Sequence, residues 1–295
     1  RADELAVQAK ELNYRNTISS KLSNLSLQLY GIMLKTGYVK SDEEYHQIDD
    51  YFNKHIAKFD EDKFGFREKY WYFNANLWRS FLVQDFLSCY KFANKWVTLF
   101  YDNPNMIYLN PVFFLKGNHY LLESLFMLKY KTNFKKYLVQ LEETINDPKF
   151  PVNDNIASLS FLYLYNNKLN YHILEGSFAE SEYLIPEVLY KMNIHSEHLD
   201  EHHEMLFYYK IACIYFGNEK YNESLFYLEK IINNKNLTMR EDLMCFARLL
   251  YLILHYELGN DYYLENQLKS TYKFLLKMND LHEVQKEIIR FLKNL

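Results

Sequence analysis

Between Tyr208 and Ile232 the chain reads YYKIACIYFGNEKYNESLFYLEKII. Tyr208, Ile211, Ala212 and Tyr215 fall at i, i+3, i+4 and i+7, one face of an α-helix. Beyond Gly217-Asn218, which reads as a tight turn, Tyr221, Ser224, Leu225, Leu228 and Ile231 give a second apolar face of the same period. The small residues Ala212 and Ser224 let the two helices approach closely, where larger side chains would hold them apart. Such a hairpin buries one face internally and needs a neighbour for the other, so a single copy is not a fold. This constrains the rest of the chain to supply further copies.

It does so with less regularity. An aromatic residue opens each expected second helix, at Tyr45, Phe86, Phe134, Phe178, Tyr221 and Tyr262, a recurring spacing in the forties. The expected helix pairs are Arg67 to Phe81 with Phe86 to Phe100, Pro111 to Lys131 with Phe134 to Ile145, and Asp154 to Glu175 with Phe178 to Met192. Leu199 to Phe216 with Tyr221 to Asn233 and Arg240 to Leu258 with Asp261 to Lys277 complete the series. Ahead of them, the helix expected around Asn24 to Tyr30 pairs with Glu43 to Phe59, capped by Ser41-Asp42. Ala2 to Leu12 carries its own apolar stripe, so residues 1–14 read as the remnant of a preceding repeat. Leu281 to Leu295 (residues 281–295) reads as a capping helix. Pro186 falls inside an expected helix and should kink or split it. Residues 1–295 thus read as a single array of about six hairpins. With 7 Gly and 5 Pro the chain has too few turn residues for a many-stranded β fold.

The landmarks Tyr208, Ile211-Ala212, Tyr215, Tyr221, Ser224, Leu228 and Ile231 resemble the tetratricopeptide repeat, which usually has alanine where Ser224 and Ile231 stand. The standard repeat is shorter, about 34 residues, so the resemblance is to the long-repeat members of that family. It implies an all-α fold, a right-handed α-α superhelix of antiparallel helical hairpins. HEAT-like hairpins share the period and are the alternative fold. The resemblance also implies a concave face lined by first-helix residues. By register these are Trp71, Asn74 and Trp78; His119, Leu122, Phe126 and Lys129; Tyr163, Asn166, Asn167 and Asn170; and Tyr209, Cys213 and Phe216. Side-chain amides such as Asn166, Asn167 and Asn170 both donate and accept, and so can grip a peptide backbone. Family members that clamp a C-terminal carboxylate also use lysine there, and this chain lacks matching basic residues at the neighbouring positions, which argues against such a clamp. The expected function is a non-catalytic protein- or peptide-binding scaffold, cytoplasmic and without a cofactor. A sensory or regulatory module of a larger protein is the alternative.

Other chemistry finds little in the chain. Lys plus Arg number 34 and Asp plus Glu 38, for a net charge of −4, which offers no basic field for direct contact with nucleic acid. The longest apolar run, Leu249 to Leu254, is far short of the roughly 18 residues a membrane helix needs, so no membrane insertion is expected. Cys89, Cys213 and Cys245 sit on apolar patterns and read as reduced, buried thiols. The glycines never cluster into a phosphate loop, and no GxSxG nucleophile motif occurs. One polar run stands out, His195 to Glu204, where His198 and His202 at i and i+4 suggest a metal-dependent enzyme. It lacks the HExxH order that places a base between the ligands. Three Asn-x-Ser/Thr sequons, at Asn24, Asn222 and Asn236, read as chance occurrences because the first two lie inside expected helices.

Overall fold

The computed structural model describes residues 2–56, 59–234, 241–277 and 283–293, all of whose regular structure is helical. The sequon at Asn236, the start of the expected helix at Arg240 and residues 281, 282, 294 and 295 of the expected capping helix lie outside the described residues. The chain divides into two compact units, Arg1–Tyr163 and Leu164–Leu295. The first holds α1 (Ala2–Thr36), α2 (Asp42–Ile56), a 3-10 turn (Glu61–Lys63), α3 (Phe66–Leu82), α4 (Phe86–Tyr101), α5 (Asn105–Leu109), α6 (Pro111–Met127), α7 (Lys131–Ile145) and the start of α8 (Asp154–Glu175). The second holds the end of α8, then α9 (Phe178–Glu182), α10 (Ile185–Ile194), α11 (Glu201–Gly217), α12 (Tyr221–Ile232), α13 (Glu241–Glu257), α14 (Asp261–Lys277) and α15 (Glu283–Lys293). In the first unit α1 packs on α3, α3 on α4, α4 on α6 and α6 on α7. In the second α11 packs on α12, α12 on α13, α13 on α14 and α14 on α15.

Five of the helix connections share one turn. Gln84, Lys129, Gly176, Glu219 and Gly259 each take a positive φ, between 57° and 75°. The residue after each donates its N–H five residues back: Asp85 to Ser80, Tyr130 to Leu125, Ser177 to His172, Lys220 to Tyr215 and Asn260 to His255, at 2.9–3.0 Å. At Gln84, Lys129, Glu219 and Gly259 the left-handed residue itself donates three residues back, at 3.0 Å. This pair of bonds is the Schellman motif, which satisfies the last carbonyls of the helix and reverses the chain. The next helix then starts two residues beyond the left-handed position in each case. By this marker too, successive copies recur with a spacing in the forties.

That register corrects the one expected from aromatics. Phe86, Phe178 and Tyr221 each stand two residues past the left-handed residue, but Phe134 stands five past Lys129 and Tyr262 three past Gly259. The turn expected at Gly217-Asn218 also moves. Gly217 ends α11, and Glu219 is the residue in the left-handed region. Gly217 is needed for another reason: a Cβ there would lie 2.4 Å from the ring of Phe178. The expected small-residue seam is present. Ala212 and Ser224 are fully buried, and Ser224 Oγ donates to the Ala212 carbonyl at 2.8 Å. Ser181 and Cys89, five residues past their own left-handed residues, are fully buried in the same register.

The start of the chain differs from its expectation. In place of two separated helices, α1 is continuous from Ala2 to Thr36. The Ser/Thr/Asn-rich stretch between them does not break it, because Thr17 donates to the Asn13 carbonyl and Ser23 to that of Ser20. A hydroxyl bonded back to a carbonyl three or four residues earlier can be accommodated within a continuous helix. Residues 2–17 are exposed, and burial begins with Ile18, Leu22, Leu25 and Leu29. α2 buries only Phe52 and is tethered by Tyr51 to Gln28 and by Arg79 to Asp49. Pro186 acts as expected: α9 stops at Glu182, and Pro186 occupies the first turn of α10, where its missing N–H has no helical partner to lose.

In the first unit Trp96 packs closely against α6. Trp96 is fully buried, and a Cβ on Gly117 would lie 2.8 Å from its Nε1. Gly117→Ala should therefore overpack the core and lower stability by about 1–3 kcal/mol. Lys129→Gly should act oppositely. A side chain in the left-handed region costs roughly 1–2 kcal/mol, partly offset by the entropy glycine loses on folding, so the net gain is up to about 1 kcal/mol. Urea unfolding monitored by circular dichroism reads both, and a lowered midpoint for Lys129→Gly would remove the strain argument.

Candidate functional site

The residues expected on the concave face divide into three environments. Asn74 and Trp78 belong to the interior of the first unit. Asn74 accepts a hydrogen bond from the buried hydroxyl of Ser26, joining α3 to α1. Trp78 packs on Tyr30 (centroids 4.6 Å apart) and edge-on to Tyr120 (5.1 Å, 76°). Trp71 lies half-buried against the cluster of Ile18, Leu22 and Phe64, at the α1–α3 seam. Leu122 is fully buried.

α6 carries a more open pair. His119 and Phe126 are half-buried and seven residues apart, on one face of the helix. The His119 ring stacks on Tyr163 at 4.6 Å and 15°, and its Nε2 lies 3.6 Å from a Glu123 carboxylate oxygen. Lys129, expected on the same helix, is instead the exposed left-handed residue of the turn that follows. α6 has ended at Met127, so register along the helix no longer places it.

In the second unit Asn166, Asn167 and Asn170 are each more than nine-tenths buried. Asn166 Oδ1 accepts a hydrogen bond from Lys210 Nζ, itself 9% exposed. Lys210 is thus a buried cation held by an amide, which the local sequence pattern does not single out. The signal that could have found it is the repeat itself, since Lys210 stands about one repeat after Asn166. Tyr209 and Phe216 on α11 are half-buried and again seven residues apart. Beside Tyr209, burial holds the Cys213 thiol up at about 11, although the Tyr209 hydrogen bond and the Lys210 charge pull the other way. All three cysteines are free; Cys89 and Cys245 are buried as expected, whereas Cys213 keeps a partial opening.

The histidine-rich run does not form a pair one helical turn apart. His198 precedes α11, which begins at Glu201, so the helical i, i+4 relation to His202 is not made. The Asp200 carboxylate caps that helix by accepting from His203 N at 2.8 Å. Among the described residues no group of three or more His, Cys, Asp or Glu is placed to hold a metal ion. Among them also, no helix is long and apolar enough to cross a membrane. At two of the sequons the hydroxyl residues, Ser26 and Ser224, are buried in helix seams. No family model matches the chain, and neither a curated protein nor a solved structure matches it.

Two outcomes follow for this network. Asn166→Ala removes an acceptor from a buried ammonium and should cost about 1–3 kcal/mol. Lys210→Met should then cost less in that background than in the wild type, a coupling that a double-mutant cycle in urea measures. Cys213 should react with iodoacetamide at a rate that rises with pH until it levels off near 11. A rate already level at pH 8 would mean an accessible thiolate.

Proposed function

We propose that the chain is a non-catalytic protein- or peptide-binding scaffold, its hairpins stacked in the right-handed sense of tetratricopeptide-type superhelices. Supporting the family reading are the common Schellman turn, its recurrence at a spacing in the forties and the buried Ala212–Ser224 seam. The observation that carries the functional reading is the half-buried pair repeated on two first helices, His119 with Phe126 and Tyr209 with Phe216. Both pairs lie at a two-turn spacing that keeps them on one helix face. Repeat proteins use such inner faces as extended binding surfaces, and aromatic rings there supply large contact area with two side-chain torsions to order. The nine-tenths-buried amides Asn166, Asn167 and Asn170 serve in this reading as the rigid backing of the face.

The test is affinity capture from the native source with the partner identified by mass spectrometry, followed by titration of that partner. His119→Ala with Phe126→Ala, and separately Tyr209→Ala with Phe216→Ala, should weaken binding about tenfold or more, as loss of aromatic anchors does. Melting temperature should stay within a few degrees of the wild type. Melting that collapses in both variants, or binding unchanged in both, would show that these side chains are packing and that the inner face is not the contact surface.

A further inference from the structure

Two of the five Schellman turns differ from the other three at one position. The carbonyl that receives the bond from five residues ahead belongs to Ser80, Leu125 and Tyr215 in three of them, but to His172 and His255 in the other two. Each of these histidines also bonds the same residue through its ring. His172 Nδ1 lies 2.8 Å from Ser177 Oγ, and His255 Nδ1 lies 3.2 Å from Asn260 Nδ2. An amide nitrogen only donates, so His255 Nδ1 accepts and the neutral ring carries its proton on Nε2. The Ser177 hydroxyl is placed to donate to His172 Nδ1 in the same way. Both turns also carry glycine, Gly176 and Gly259, in the left-handed position, where the others carry Gln84, Lys129 and Glu219. Glycine regains the most backbone freedom when a turn opens.

Both rings sit where a charge is costly. His255 is 6% exposed, with Tyr251 edge-on at 4.4 Å and 78° and Tyr263 stacked at 6.0 Å and 16°. Its Nε2 is buried and has no hydrogen-bond partner among the described residues. Burial pushes this imidazole down from its ordinary value, against the pull of the Glu229 carboxylate on α12. α14 faces it with the neutral Tyr263 ring, and α11 and α15, which also pack on α13, bring no charge to act on it among the described residues. His172 is half-buried beside Tyr171. Burial lowers it too, against Glu180 of α9 and a backbone contact from Ser177. Protonation puts a hydrogen on Nδ1, where the Asn260 amide already points one. With the folded value below the unfolded one, an opened turn binds the proton more readily than a closed turn. The closed turn therefore keeps its full stability above the ordinary value of about 6.5, loses it as pH falls below that, and levels off below the folded value.

The first of these turns positions a specific contact. Phe178 follows Ser177 and opens α9, and its ring packs on Gly217 at the end of α11. The Phe178 carbonyl and the Glu182 carboxylate both accept from the Asn218 amide at 3.0 Å. Release of the turn therefore loosens α9 from α11. We infer that His172 and His255 form a paired pH latch: neutral, they close the α8–α9 and α13–α14 turns, and protonation in mildly acidic solution opens both turns locally and frees α9 from α11. The latch shares no residue with the inner-face reading and stands or falls without it.

Amide hydrogen exchange of the full chain, corrected for the intrinsic rate at each pH, reads every turn separately through the N–H that bonds five residues back. Between pH 7.5 and pH 5.5 the protection of Ser177 and Asn260 should fall severalfold, with about tenfold as the ceiling for one proton at one unit below 6.5. Asp85, Tyr130 and Lys220 make the same bond without a histidine, and should keep their protection. His172→Gln should abolish the fall at Ser177 and leave it at Asn260, and His255→Gln should do the reverse. Ring shifts followed by NMR should titrate both histidines below 6.5. The wild-type comparison of the five turns decides the matter even where a variant fails to fold. A fall shared by all five turns, no fall at Ser177 and Asn260, or a fall that survives the glutamine variants would overturn the latch.

Discussion

The architecture rests on a residue in the left-handed region followed by a backbone bond that reaches five residues back, five times over. Each such turn ends a helix, satisfies its last carbonyls and sends the next helix back along it within two residues. Three of the five left-handed residues, Gln84, Lys129 and Glu219, are not glycine. An L-residue in that region is strained, so at those positions the packing of the two helices must hold the turn, and not the turn residue alone. At the Glu219 turn the α11–α12 seam supplies that packing, with Ala212 against Ser224. Small residues make the approach close enough to offset the strain of the turn.

Polar groups inside these seams are matched to one another rather than excluded. Ser26 bonds Asn74 across α1 and α3, Asn166 accepts from Lys210 across α8 and α11, and Asn218 reaches the Phe178 carbonyl at 3.0 Å. Each bond joins helices from different copies, so it fixes how one copy sits on the next within its own unit. A buried polar group without its partner costs more than the bond gains, so such pairs penalise any slip in register. The half-buried rings of His119, Phe126, Tyr209 and Phe216 are a different population. They keep one side toward solvent, whereas Asn166, Asn167 and Asn170 are interior.

Much of the helical layout is legible in the sequence because periodicity is a local signal. Asp154–Glu175 and Asp261–Lys277 have the bounds expected from pattern alone, and Pro186 divides α9 from α10 for the stated reason. The continuity of α1 is not legible, because Ser, Thr and Asn between Asn13 and Ser23 look like a break. In the structure two of those hydroxyls are bonded within the helix itself. The turn at Glu219 is masked by Gly217, which has the freer backbone. The role of Gly217 is to let the Phe178 ring approach, which no local pattern records. Among the site residues, Lys129 falls away with the end of α6, and Lys210 is hidden because a lysine reads as solvated until a buried acceptor is placed beside it.

By itself the sequence determined that the chain is built of helices, roughly where each begins, and that neighbours approach closely at Ala212 and Ser224. Hydrophobic period, caps, proline and small residues act over a few positions, so they can be interpreted without any distant contact. Tertiary structure alone decided which residue takes the left-handed turn, which amides are interior and which rings stay half open. Those outcomes depend on side chains a whole repeat away, as Lys210 does on Asn166. Only packing brings such residues within hydrogen-bond reach.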